Sequence, residues 1–216
     1  HIIHQYSIDN NVLSKFVEKI SSFNKSKLKT VEYISKSRTP YLPYSCIILD
    51  EIMRVTYPRN IICSISGLRE GSLSIDYFKD VKESEIFHKA LENVAKKRGD
   101  LGSNYKKYYD FIQPVFEGNE HFNKKLLYLA CVLSHMDWGL GAFQKAELVF
   151  QETINTPLLR LSHKERIQLA LSCYWRYCSI KYNPKMEYLT FLNNNEIFSS
   201  KQVGAALRFS QSLTSI

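Results

Sequence analysis

Beyond about residue 80 every apolar pattern in the chain has the period of a helix, and no other feature constrains the fold as much. Glu85–Lys97 and Asn104–Phe116 carry apolar residues three and four apart, separated by the turn-like run Arg98-Gly99-Asp100-Leu101-Gly102-Ser103. His121–Asp137 is the clearest case, with Phe122, Leu126, Leu129, Ala130, Leu133 and Met136 on one stripe. Gln144–Thr153 follows the glycines at 139 and 141. Ser162 then opens a helix with Glu165 at its third position, a reciprocal capping box, and Ile167, Ala170, Leu171, Tyr174, Tyr177 and Cys178 form its stripe. A short apolar element at Met186–Leu192 precedes an amphipathic helix over Ser200–Leu213 with Val203, Ala206, Leu207 and Leu213 inward. No internal repeat has a solenoid period.

The earlier residues are mixed. Residues 1–8 alternate like a strand, and Asp9 can cap a helix bearing Leu13, Phe16, Val17 and Ile20 on one face. Ser21–Ser35 is polar and lysine-rich, with a short helical pattern of Leu28, Val31 and Ile34, and Ser37-Arg38-Thr39-Pro40 breaks it. Tyr41–Tyr57 reads as a helix whose apolar residues cover most of its circumference, which predicts packing between other elements. Ile61, Ile62, Cys63 and Ile65, after Pro58 and before Gly67, read as a buried strand over Asn60–Ser66, and Ser72–Phe78 reads as a last strand. The expected class is α+β: an incomplete α/β unit over residues 1–80 and a mostly helical domain over 81–216, divided in the polar stretch Lys79–Ser84.

Several function classes fall away on composition. No apolar run approaches the ~18–20 residues of a membrane span, and the first residues lack the order of a secretory signal. The chain starts on His1 inside a strand-like segment and stops at Ile216 just after an amphipathic pattern, so it reads as an excised part of a longer protein. Its five cysteines, Cys46, Cys63, Cys131, Cys173 and Cys178, each lie in an apolar run without C-x-x-C spacing. They read as buried thiols of a reducing, cytoplasmic compartment. A formal charge of +8 favours a polyanion, whether nucleic acid, a membrane surface or inorganic polyphosphate. Lys96-Lys97-Arg98, Lys106-Lys107 and Lys124-Lys125 are its clusters or, equally, solvated helix faces.

The candidate site is Gly67-Leu68-Arg69-Glu70-Gly71, a guanidinium between two glycines at the end of the expected strand. Ligands of open α/β sheets bind beyond the carboxyl ends of strands, and the planar fork of Arg suits a phosphate. The competing reading is a surface turn with an Arg69–Glu70 ion pair.

Gly67–Leu73, GLREGSL, resembles the "LREG" signature of the exopolyphosphatase and guanosine pentaphosphate phosphatase family, and further segments resemble that family in the same order. His1–Ile8 is similar to its "VIHGY-I" strand, and Ser37-Arg38 with Leu42-Pro43 and Ile47-Ile48-Leu49 to "SRADxLPAGAAIL". Leu133–Trp138 resembles "LSDIGW", Glu165–Arg176 resembles "ERAFLALALYxRY", and Gly204–Leu213 resembles "GLALRLAHTLS".

The resemblance implies the second lobe of an actin-like (ribonuclease H-like) fold followed by an HD-like helical domain that forms a homodimer. It further implies release of terminal phosphate from inorganic polyphosphate, or hydrolysis of guanosine pentaphosphate, with Mg2+ in the intact parent. Arg38, Arg69 and Glu70, with Gly67 and Gly71, are the positions it offers for phosphate or nucleotide binding, guanosine tetraphosphate included. The catalytic base, the metal-binding acids and the phosphate loop of the family precede this stretch, so the chain alone is expected to be catalytically silent. Pro40 replaces the family's Asp, Ser45 a Gly and His135 an Asp, which leaves Arg38 a structural role as the alternative and an inactive parent as another.

Other chemistry is thinly supported. Asp50-Glu51 fits a helix pattern without catalysis, and Gly139-Leu140-Gly141 is too short for a phosphate fingerprint. His135 and Asp137, two apart on a helix, point ~200° apart and cannot share an ion. Fourteen residues put His121 and His135 ~21 Å apart along an axis. His163 reads as a helix-start residue and His88 as an exposed one. Tyr174, Trp175 and Tyr177 fit a core contact better than a base-stacking platform. The rival class is a non-catalytic basic helical module that binds RNA or protein.

Overall fold

The computed structural model describes residues 3–79, 81–97, 105–118, 123–135, 139–156, 161–182 and 186–214. They divide into two compact units, Ile3–Ile65 and a second from Ser66 onward, a division ahead of the Lys79–Ser84 stretch.

In the first unit strand β1 (Ser7–Asp9) pairs antiparallel with β2 (Asn60–Ile62), Ile8 opposite Ile61. Helix α1 (Asn10–Ser21) starts where the Asp9 carboxylate accepts from the Asn11 N–H at 2.8 Å, satisfying one of the free donors of a helix start. Asn24 caps the single turn α2 (Lys25–Leu28) in the same way. A 3-10 turn at Thr39–Tyr41 leads into α3 (Leu42–Thr56), with Pro43 in the first turn where its missing N–H costs nothing. Val17, Ile20, Leu28, Cys46 and Met53 form the core, backed by Leu13, Leu49 and Ile61.

Three expectations fail here. The Asn60–Ser66 segment is not a covered strand: with one partner strand and one layer beneath it, Asn60 and Ile62 are exposed. Tyr41–Tyr57 is the expected helix but is not packed all round. Cys46 and Met53 are buried, whereas Ile47, Ile48, Ile52 and Val55 are each more than half exposed, because α1 is the helix that covers α3. Ser72–Phe78 is no strand; it is the later part of α4 (Leu68–Tyr77) and its C-cap, Phe78. A ribbon of two short strands is not an actin-like unit, and the described chain is mostly helical.

The second unit is helical throughout its described residues: α4, α5 (Glu83–Lys97), α6 (Tyr105–Ile112, extended by a 3-10 turn to Phe116), α7 (Lys124–Leu133), α8 (Ala142–Asn155), α9 (His163–Tyr177), α10 (Met186–Leu189) and α11 (Asn194–Thr214). α9 is its axis. Ten of its residues from Arg166 to Arg176 are buried, and α7, α8 and α11 pack around it. Ser162 and Glu165 exchange the two hydrogen bonds of the expected capping box, at 3.2 and 2.8 Å. Tyr174 and Trp175 are core residues, as their spacing predicts.

Gly204 of α11 explains how closely the last two long helices pack. A Cβ there would stand 2.6 Å from Trp175 Cβ, 2.8 Å from Trp175 C and 2.9 Å from the Ser172 carbonyl. The crossing therefore admits only glycine. Leu213, expected inward, is 46% exposed. The Arg98–Ser103 turn, His121, Phe122, Met136, Asp137 and Trp138 lie outside the described residues.

Candidate functional site

Arg38 stands on a loop fixed mainly by its own backbone. The Ser35 carbonyl accepts from the Arg38 N–H at 2.9 Å, the Thr39 N–H at 3.1 Å and the Thr39 hydroxyl at 3.1 Å. Tyr33 takes a left-handed backbone, φ +64°, a conformation seldom adopted by non-glycine residues and one that turns its ring fully into solvent. A hollow of about 700 Å3 opens between this loop and the start of α3, lined by Tyr33, Ser35, Ser37, Arg38, Tyr41 and Ser45 among others. The lining has one cation, five hydroxyls and no carboxylate. The Ser35 and Ser37 hydroxyls lie 3.2 Å apart, and the Ser45 hydroxyl donates to the Tyr41 carbonyl at 3.2 Å. The residue standing where the resembled family has Gly thus anchors its hydroxyl within the first turn of α3.

Gly67–Gly71 is built differently from its sequence reading. It is the start of α4, where Gly67 is the N-cap and the Glu70 carboxylate accepts from the Gly67 N–H at 2.7 Å. That half of a capping box draws the segment into a helix, which is why the alternation in Ser72–Phe78 misleads. Neither glycine has the freedom expected of it. Gly67 is extended, Gly71 lies within the helix, and a Cβ at Gly71 would meet open space. Glu70 is committed to the cap, and no Arg69–Glu70 ion pair forms. Arg69 is exposed, without a hydrogen bond or ion pair among the described residues. Arg38 and Arg69 belong to different units.

Around α9 the structure gathers three segments that the sequence singled out separately. Arg176 is buried, and its guanidinium donates to the Ser134 hydroxyl at 2.6 Å and to Gln211 Oε1 at 3.0 and 3.4 Å, while its Nη2 lies 3.2 Å from His135 Nδ1. Tyr177 donates to the Ser134 carbonyl at 2.8 Å, and its ring centre lies 5.4 Å from the guanidinium. No carboxylate among the described residues pairs with this buried cation; neutral acceptors and a ring face satisfy it. Arg208 donates from α11 to the carbonyls of Trp175, Arg176 and Cys178, closing the carboxyl end of α9. Sequence reasoning missed Arg208, whose only signal is its position one helix turn beyond Gly204.

Perturbed groups elsewhere have structural causes. Burial, then the Arg166 charge, holds the His163 imidazole below its ordinary value. Burial lowers Arg166, whose guanidinium donates to the Thr156 carbonyl at 2.7 Å, and pushes the Cys131 thiol up to about 12. On α3 the Glu51 carboxylate pairs with Arg54 at 2.6 Å, which lowers the Glu51 carboxyl. Among the described residues no group of three His, Cys, Asp or Glu is placed to hold a metal ion.

No disulfide joins any of the five cysteines, and Cys63 alone is not fully buried. No helix of the described residues is long and apolar enough to cross a membrane. A scan against protein-family models finds no match to this chain, and no curated protein matches it.

Proposed function

We propose that this chain is the carboxyl-terminal part of a cytoplasmic, exopolyphosphatase-like phosphoanhydride hydrolase and contributes binding of a phosphate chain, inorganic polyphosphate or a guanosine polyphosphate, within a homodimer. The observation that carries the reading is the Arg38 hollow. Its guanidinium, in a lining free of any carboxylate, is the donor a phosphate needs, and it sits on a chain of formal charge +8. The convergence of Ser134-His135, Arg176 and Gln211, drawn from three motif-like segments, also favours it, since a shared polar centre gives those segments a common reason to occur together.

Among the described residues no carboxylates are gathered as a Mg2+ site would gather them. Glu51 is held by Arg54, and no acidic cluster occurs among the described residues. In keeping with the resemblance, the reading assigns the metal, the catalytic base and water activation to a part of the parent outside this chain. What these residues supply is orientation: Arg38 holds the anion in two parallel hydrogen bonds, the arrangement that fixes a phosphate in register.

A second reading rests on Tyr33 and Tyr41, whose exposed rings flank Arg38 and would stack the bases of single-stranded RNA. Polarisation binding of the 216-residue chain to long-chain polyphosphate and to single-stranded RNA of matched charge, across a salt series, separates the two. Preference for polyphosphate that Arg38→Ala or Arg69→Ala reduces supports the phosphatase reading. Preference for RNA lost on Tyr33→Ala favours the second. Equal binding indifferent to all three variants sinks both and leaves a generic basic field.

A further inference from the structure

Resting on that reading, we infer a second phosphate-chain site in the first unit, in a hollow lined by Lys25, Lys29 and Lys36. This hollow, about 560 Å3, shares only Ile34 with the Arg38 hollow. Its floor is aliphatic and firm: Leu28 and Thr39 are buried, and Pro40 closes one side. Lys25 and Lys29 stand four residues apart on α2 and its C-cap, hence on one face and ~6 Å apart along the axis. Lys36 reaches the same hollow from the loop beyond. None of the three makes an ion pair, and no acidic side chain lines the space. Residues 25–40 hold five cations (Lys25, Lys27, Lys29, Lys36, Arg38) against Glu32, a net +4. Bringing so much like charge together without internal partners disfavours the free protein and favours one that holds a polyanion.

The lining decides which polyanion. Ammonium groups act as point charges that donate to a phosphate oxygen from any direction, which suits a uniform, flexible chain. An RNA site would offer rings or guanidinium planes for the bases, and this hollow has neither. The occupant is therefore a linear inorganic phosphate chain, held by consecutive phosphates.

The test compares Lys25→Gln/Lys29→Gln/Lys36→Gln with a control of equal charge change in the same unit, Lys15→Gln/Lys19→Gln/Arg59→Gln, each in the full chain and checked by circular dichroism. Long-chain polyphosphate at about 50 mM salt should bind the hollow variant about tenfold more weakly, with a salt slope shallower by about 2, at ~0.7 per lost contact. The control should change by less than about threefold. Equal weakening by both triples, an unaffected hollow variant, or an identical loss for single-stranded RNA overturns the assignment. If Arg38→Ala weakens polyphosphate binding while the hollow triple is silent, this site falls and the Arg38 reading stands; if both are silent, both fall.

Discussion

Gly204→Ala adds one methyl group at the tightest point of the second unit. The new Cβ would lie 2.6 Å from Trp175 Cβ, where carbon atoms in contact settle at ~3.5–4.0 Å, so α9 and α11 must part by roughly 1 Å. Two of the three atoms it meets, Trp175 C and the Ser172 carbonyl oxygen, are backbone and cannot rotate away. Overpacking of this kind costs about 1–3 kcal/mol, and the rigid neighbours place it near the upper end. Alanine returns about 1 kcal/mol of helix propensity, leaving a net loss of about 2 kcal/mol. For a unit of this size that is a fall in Tm of about 4–8 °C, measurable by calorimetry. Gly71→Ala is the internal control: the same change within a helix, facing open space, should leave Tm level or raise it. A Gly204→Ala melt at or above wild type would show that the close crossing does not exist, because propensity would then be the only term acting.

Arg176→Lys should cost about 2–3 kcal/mol in denaturant unfolding, since one ammonium cannot serve Ser134, His135 and Gln211 together; an unchanged midpoint would contradict the buried centre. His163 has a folded pKa below its unfolded value, so the unfolded chain binds the proton more readily and stability falls as pH drops through about 6.5. His163→Gln should flatten that part of the Tm–pH curve between neutral and acid conditions, and an unaltered slope would exclude His163 as its source. With a disulfide-exchange reagent on the native protein, Cys63 should react first and Cys131 only on unfolding, a pattern that reversed order in peptide mapping would refute.

The helical half was legible because its helix-start signals and apolar spacing are local. The Ser162–Glu165 box and the stripe through Leu171 and Tyr174 specify α9 with local information alone. The first half misled because its cues are local and its burial is not. Ile61 and Ile62 have the composition of a covered strand, yet only a neighbouring layer could cover them, and no sequence window records how many layers exist. Alternation in Ser72–Phe78 competed with a glutamate three positions past Gly67, and the hydrogen bond decided for helix. Arg38 and Arg69 were visible as residue types, but the hydroxyl-lined hollow around one and the bare exposure of the other depend on chain turns such as that at Tyr33. Lys25 and Lys29 were visible only as part of the polar, lysine-rich Ser21–Ser35 stretch, and nothing in the sequence joined Lys36 to them.

The clasp of Arg208 on three carbonyls at the carboxyl end of α9 and its cap orders events during synthesis. When Tyr177 leaves the ribosome, the central helix has its amino-terminal box in place but an open carboxyl end, and its guanidinium partner is still 30 or more residues away. At ~5–20 residues per second the helix waits seconds for that partner, exposed on the face that Gly204 will later cover. The last long helix is thus the lock of the unit, and a nascent chain halted short of it should be the species that chaperones and proteases find.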